Sequence, residues 1–297
     1  LERVPIQQAD PGDIVAITGI EDLTISDTVC AKDNPEMLPP LIVDEPTINM
    51  VFQINTSPFV GKEGKFVTSR QLRERLFKEA SYNIALRIDE TEDPDKFKVS
   101  GRGELQLSIF IETIRREGFE LAVSQPQVII REIDGVLSEP YEELIVEVEE
   151  GHQGAVMQRL GERRGQIQDM LPDGKGRVRL SYMIPARGLI GFHGEFMTTT
   201  SGTGILTHVF DHYGPLVNGI ELGRKNGVLI SNCAGKASAY SLWNLQPRGK
   251  LFIGPQAEVY EGMIVGIHTR DNDLVVNVTK ERQLTNIRAA GSDENII

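Results

Sequence analysis

Thiols are scarce in this chain. Only Cys30 and Cys233 occur in 297 residues, far apart and at no spacing that serves a metal or a redox pair. That usage fits a reducing cytoplasm, with both thiols simply packed. Aromatic residues are also few, at 6%, so the cores must be built mainly from aliphatic side chains. No run approaches 18 apolar residues without charge, which leaves no candidate for a membrane-spanning helix. The opening LERVPIQQAD has neither a basic leader nor an apolar centre, and so does not read as a secretory signal. It reads as the middle of a domain, the expectation being a piece of a longer chain.

Catalytic signatures are missing too. No G-x-x-x-x-G-K-[ST] loop exists, and GKEGKFVTS at 61–69 has the wrong spacing to cradle phosphates. SGTG at 201–204 opens a strand rather than a helix, and DGKG and DHYG match a D-x-x-G pattern by chance. His208 and His212, beside Asp211, would form a metal pair only on a helix, whereas the local sequence reads as strand and loop. A surface or hydrogen-bonded role is expected for them. His152, His193 and His268 are solitary, with no nucleophile motif nearby. No catalytic residue, metal site or bound cofactor is expected in these 297 residues.

What is present is a chain with room for several small domains. Residues 11–31 alternate short β-branched runs with Gly and Asp turns and read as strands of a barrel's tail. MLPPLIVDEP (37–46) reads as a linker. A β-α-β-β-α-β order follows in about 80 residues, the split-βαβ, ferredoxin-like pattern. Strands are predicted at 47–55, 84–90, 96–101 and 119–124. A helix at 66–80 buries Leu72, Leu76, Phe77 and Ala80, capped by Thr68 or Ser69, and one at 103–117 buries Leu107, Phe110, Ile111 and Ile114 before Gly118. The order returns from 141 to 210, with helices at 152–164 and 186–202 and strands at 141–150, 165–172, 177–185 and 203–210. Beyond 215, short β runs are predicted at 227–232, 236–245, 250–254, 263–269 and 274–279. The fold class is therefore α+β multidomain. It comprises a β-barrel remnant (1–40), two ferredoxin-like domains (45–125 and 126–213) and a mainly-β C-terminal domain (214–297).

The net charge of −12 argues against a nucleic-acid partner if taken whole. Its distribution says otherwise. Between Leu222 and Ala257 there is no acid, while Arg224, Lys225, Lys236, Arg248 and Lys250 supply five cations. Screening limits electrostatic reach to roughly 8 Å at physiological salt, so a local window decides where a polyanion docks. Asn226, Ser231, Asn232, Asn244 and Gln246 stand between the cations and suit ribose and base edges. Tyr240 and Trp243 are candidate stacking surfaces, although core positions suit them equally. A weaker basic patch is Arg159, Arg163 and Arg164, read as the outward side of a helix.

Taken together, the blocks resemble the translational GTPases. GRGELQLSIFIETIRREGFELAVSQPQVIIRE (101–132) is similar to the third domain of elongation factor G and its relatives, with Gln106 and Gln125 where His and Lys are usual. EVEEGHQGAVMQRLGERRGQI (147–167), IPARGLIGFHGEF (184–196) and TSGTG (200–204) resemble the fifth domain, and 11–31 the end of the second. No fourth domain intervenes. The stretch NGVLISNCAGKASAYSLWNLQPRGKLFIGPQAEVYEGMIVGIH (226–268) resembles the C-terminal domain peculiar to the BipA/TypA family. The resemblance implies a cytoplasmic GTPase linked to stress and cold adaptation and to large-subunit assembly. It implies ribosomal partners (rRNA, A-site tRNA and proteins near the factor-binding site), a basic loop at 224–250, no membrane and a monomer. It also implies that GTP or GDP with magnesium belongs to an N-terminal domain outside these residues, so that this chain hydrolyses no GTP. A LepA-type factor lacks the 226–268 block; a ferredoxin-like sensor or a protein scaffold are rivals of another class.

Overall fold

A computed structural model describes residues 4–20, 23, 25–40, 45–220, 224 and 226–281. The chain divides into two compact units, Leu1–Ile220 and Glu221–Ile297. Both mix sheet and helix, so the fold class is α+β.

The first sheet of the larger unit contains β1 (Ile48–Ile54), β2 (Arg87–Glu90), β3 (Lys96–Gly101), β4 (Leu121–Val123) and β5 (Gln127–Val128). Its order is β2-β3-β1-β4, with β5 also on β1, and every pairing is antiparallel. Between β1 and β2 runs α1 (Ser69–Tyr82), and between β3 and β4 runs α2 (Glu104–Arg116). Helix α1 begins where it does because Thr68 and Gln71 form a capping box, satisfying two amides that the first turn leaves open. Leu72 and Leu76, four apart, face inward. On α2 the inward stripe is Leu107, Phe110 and Ile114, and Gly118 ends it with φ of +96°. These side chains meet Phe52, Phe97 and Val99 from alternate positions of the strands to form one core.

The second sheet repeats the arrangement. Strands β6 (Arg131–Ile133), β7 (Val136–Glu149), β8 (Gln166–Pro172), β9 (Arg177–Pro185) and β10 (Ile205–Pro215) form the order β10-β7-β9-β8, with β6 on β7. Helices α3 (Glu150–Glu162) and α5 (Phe192–Thr199) supply Val156, Leu160, Phe192 and Phe196 to a core against Leu144, Val146, Leu180 and Ile184, with Leu189 of the short α4 (Ala186–Leu189) packed beside it. The single helix expected over 186–202 is thus two, broken at Gly191, whose φ of +68° no helix interior accommodates. The helical layers over the two sheets also touch: Glu104, at the start of α2, accepts from the Gly191 amide at 3.0 Å.

Among the described residues before Glu45 there is no strand or helix, against the strand reading of 11–31. Val15, Ile17, Ile25 and Val29 are all exposed there. A β-rich stretch holds its conformation only when a neighbouring ladder takes its amides, and none is present among the described residues.

The smaller unit has a four-stranded sheet, β13-β15-β11-β16, and a two-stranded one, β12-β14. The strands are β11 (Val228–Ser231), β12 (Gly235–Lys236), β13 (Gly249–Leu251), β14 (Glu258–Val259), β15 (Ile264–His268) and β16 (Leu274–Val276). The β run expected over 236–245 is instead mostly helix, α6 (Ala239–Leu245), followed by a 3-10 turn at Gln246–Arg248. Ser238 explains the difference: its hydroxyl caps the Ser241 amide at 3.1 Å, and Leu242 and Leu245 then fall three apart on the buried side. They pack with Leu229, Val259, Val265, Val276 and Val278.

Candidate nucleic-acid interface

The acid-free window does not form a single loop. It runs through β11, β12, α6, the 3-10 turn and β13, so its cations are dispersed over different edges of the smaller unit. Arg224 is drawn to one end, with its guanidinium 3.3 Å from Asp273, an acid beyond the window. The Asn226 side-chain amide donates to the His268 and Thr269 carbonyls at 3.0 and 3.2 Å. Asn226 therefore fastens β11's entry to the end of β15, and its donor group is already committed. Lys225 lies outside the described residues.

Asn232 is exposed, held by its own amide on the Val276 carbonyl at 3.0 Å. Lys236 is exposed on β12, with Glu258 as its cross-strand neighbour on β14. Arg248 and Lys250 are brought together by the turn into β13 and are exposed. None of Lys236, Arg248 and Lys250 has a carboxylate within ion-pair distance among the described residues, so their charge is available to solvent or to a ligand.

Two cations that sequence reasoning missed join this surface. Arg270 is exposed just past β15; there the Thr269 amide donates to the Arg248 carbonyl at 2.9 Å and the Gly227 amide to Arg270's own carbonyl at 2.7 Å. Lys280, also exposed, has its carbonyl bound by the Ser238 and Ser241 hydroxyls at the start of α6. Neither lies in the window, and each has acids as near neighbours in sequence. The pairing of β15 with β13, continued by the Thr269 amide on the Arg248 carbonyl, brings the segment that carries Arg270 alongside the turn that carries Arg248.

Tyr240 is partly buried, whereas Trp243 is 43% exposed, because α6 spends its inward positions on Leu242 and Leu245. The exposure of Trp243 follows from the helix that replaces the expected strand.

The second patch, in the larger unit, is largely committed to structure. Arg163 is not an outward helix residue: it lies just past α3, donates to the Gly188 and Ile190 carbonyls at 2.7 and 3.1 Å, and pairs with Glu195 at 2.9 Å. Arg159 is held between Glu162 and Glu195, at 3.0 and 3.2 Å. Arg164, exposed like Arg159, lies in the left-handed region at φ of +64°.

The histidines carry other duties. His208 Nδ1 bonds the buried Glu142, and that carboxylate holds the imidazole's pKa above its ordinary value. His212 bonds Asp211 at 2.6 Å and stacks on Tyr141. Among the described residues no three His, Cys, Asp or Glu side chains gather as a metal site would require. No helix there is long and apolar enough to cross a membrane.

Comparisons with known proteins bear on both units. Residues 226–297 match the TypA/BipA C-terminal domain, and residues 136–221, starting at the first residue of β7, match the elongation factor G C-terminus. Along its whole length the chain is 63% identical to the large ribosomal subunit assembly factor BipA of Escherichia coli K12. Against the protein of that name from Haemophilus influenzae the identity is 60%, and against that from Buchnera aphidicola 58%. The chain spans about half the length of these relatives, 49%, 48% and 49% respectively. An unbroken match at this identity, ending in the domain that defines the group, means that the chain belongs to the BipA/TypA family.

Proposed function

We propose that this chain is the ribosome-binding part of a translational GTPase acting in assembly of the large ribosomal subunit and in responses to stress and cold. Its relatives are named as large-subunit assembly factors, which supports ribosome association as the working context. The two β-α-β-β-α-β sheets, each with its first strand central between the third and fourth, are read as ferredoxin-like bodies that space the smaller unit and add ribosome contacts. Guanine nucleotide and magnesium are assigned to a domain outside these 297 residues, and the chain alone turns over no GTP. It acts as a cytoplasmic monomer.

The observation that carries the reading is the set of exposed cations, Lys236, Arg248, Lys250 and Arg270, without carboxylate partners among the described residues of an otherwise acidic chain. Such groups displace counterions from phosphates, so affinity for rRNA or A-site tRNA falls steeply with salt. Co-sedimentation with purified ribosomes at low and high salt, beside a Lys236→Ala/Arg248→Ala/Lys250→Ala variant, tests it. The expected outcome is salt-sensitive binding that the variant loses, its salt slope falling by roughly one for each phosphate contact removed. A variant that pellets like the parent would move the ribosome contact to the larger unit.

A further inference from the structure

The sequence contains two Asn-Gly pairs, at 218–219 and 226–227. In such a pair the side-chain amide is open to attack by the main chain, because glycine has no Cβ to shield its nitrogen. The structure treats the two pairs in opposite ways. At the second, the Asn226 side-chain amide donates to the His268 and Thr269 carbonyls at 3.0 and 3.2 Å, and the Gly227 amide donates to the Arg270 carbonyl at 2.7 Å. Side chain and attacking nitrogen are both held. The first pair lies near the end of the larger unit, which closes at Ile220. Val217 is clamped there, its amide donating to the buried Glu139 at 2.8 Å. Beyond that clamp Asn218 and Gly219 are exposed, with Gly219 at φ of +85°. Neither the Asn218 side chain nor the Gly219 amide has a hydrogen-bond partner among the described residues. One charged group stands against the pair: a Cβ added to Gly219 would lie 2.8 Å from Arg164 Nη2. Arg164 is itself exposed, with no carboxylate within ion-pair distance among the described residues.

We infer that Asn218 is a site of spontaneous deamidation promoted by the Arg164 guanidinium, and that Asn226 is protected from the same reaction by its fold. The Gly219 nitrogen gives its proton to solvent base and bonds to the side-chain carbonyl carbon of Asn218. The bond from that carbon to the side-chain nitrogen then breaks, and the nitrogen takes a proton from water and leaves as ammonia. The product is a cyclic succinimide. Water opens it at either carbonyl, giving aspartate or isoaspartate, and nothing is oxidised or reduced. Negative charge builds on the glycine nitrogen and then on the carbonyl oxygen, and a guanidinium beside Gly219 stabilises both. Either product places a carboxylate next to Arg164. Isoaspartate also lengthens the main chain by a methylene between the Val217 clamp and the start of the smaller unit at Glu221. At Asn226 the same ring closure must first release the hydrogen bonds of both the side chain and the Gly227 amide.

The test ages the full chain in mildly alkaline buffer, folded and in urea, and follows each Asn-Gly peptide by mass spectrometry. Enzymatic methylation of isoaspartyl groups counts that product separately. In the folded chain Asn218 should convert at least roughly tenfold faster than Asn226, whose hydrogen bonds must open first. In urea the two pairs should react at similar rates. Arg164→Gln should slow Asn218 roughly fivefold in the folded chain, the effect of one nearby charge in water, and leave the unfolded rate unchanged. Arg164→Lys keeps the charge and should stay close to the parent, which separates the effect of charge from a local disturbance. A folded chain that converts Asn226 as fast as Asn218, or that leaves Asn218 intact while the unfolded chain reacts, overturns the assignment. An Asn226 that stays slow in urea overturns its protection by the fold. An Arg164→Gln variant that reacts at the parent's rate overturns the role given to Arg164.

Discussion

Replacing Arg187 by methionine should strand a carboxylate in the interior of the larger unit. The Glu139 side chain is 0% exposed, and the Arg187 Nε and Nη2 groups meet its two oxygens at 3.0 and 2.9 Å. The Val217 amide donates to the same carboxylate at 2.8 Å, and the guanidinium in turn donates to the Val217 carbonyl. One ion pair therefore ties β7, α4 and the segment after β10 together. Methionine fills comparable volume but leaves Glu139 with only the Val217 amide, and removing one partner of a buried pair costs about 3–5 kcal/mol. For a unit of this size each kcal/mol lowers the midpoint by roughly 2–4 °C, so the lower bound alone predicts a drop of roughly 6–12 °C. Scanning calorimetry checks this, with hydrogen exchange at the Val217 amide as a local readout. Removing both charges, as Glu139→Gln/Arg187→Met, should recover most of the loss, because the cost lies in the uncompensated charge and not in the missing attraction. A drop under about 2 °C for the single variant, or a double variant no more stable than it, would refute the reasoning.

Other consequences are as direct. The Glu142 hydrogen bond raises the His208 pKa above 6.5, with desolvation opposing and the Glu142 and Glu104 charges reinforcing it. The folded value thus exceeds the unfolded one, so the contribution is complete below pH 6.5 and lost as pH rises through the folded value; denaturant titrations in that range should show a slope that His208→Gln flattens. Glu120 takes amides of Gly64, Gly61 and Glu63, which hold its pKa at about 2. Its stabilisation is present above the usual 4.5 and lost as pH falls toward 2, and Glu120→Gln should cost about 1 kcal/mol, screened by solvent, with faster exchange at those three amides. A Cβ on Gly249 would lie 1.9 Å from the Ile267 carbonyl oxygen, so Gly249→Ala must part β13 from β15. A loss of about 3 kcal/mol is expected, seen as an earlier unfolding transition of Trp243 fluorescence.

Local signals in the sequence carried the larger unit well. Thr68 with Gln71, the Leu72–Leu76 spacing and the glycine at 118 are each settled within a few residues, and α1 and α2 follow from them. The β-α-β-β-α-β order is visible because period-2 and period-3.6 segments alternate cleanly in both halves. Signals failed where short segments admit two periods. KASAYSLWNL has the alternation of a strand, yet Ser238 as a cap decides for helix, and the cap is legible only once Leu242 and Leu245 are known to point inward. The glycine-containing 186–202 stretch was readable as helical but not as broken, since the break needs the φ of Gly191.

The candidate interface was legible in a more limited way, because charge counted along a chain differs from charge gathered on a surface. Strand pairing, parallel for β11 with β16 and antiparallel for β13 with β15, brings distant residues side by side, and it works in both directions here. It gives Arg224 to Asp273, 49 residues on, which removes a cation the window had counted. It sets Thr269, the neighbour of the exposed Arg270, against Arg248, which adds a cation the window had left out. Arg163 shows the same limit in the larger unit: its carbonyl acceptors on Gly188 and Ile190 come from α4 and the break after it, which no helical-face argument about α3 contains. What survives from the linear reading is the absence of acid between Arg248 and Lys250, where the turn into β13 keeps sequence neighbours together in space. A charge window thus locates a surface reliably only over segments shorter than the connection that folds them back.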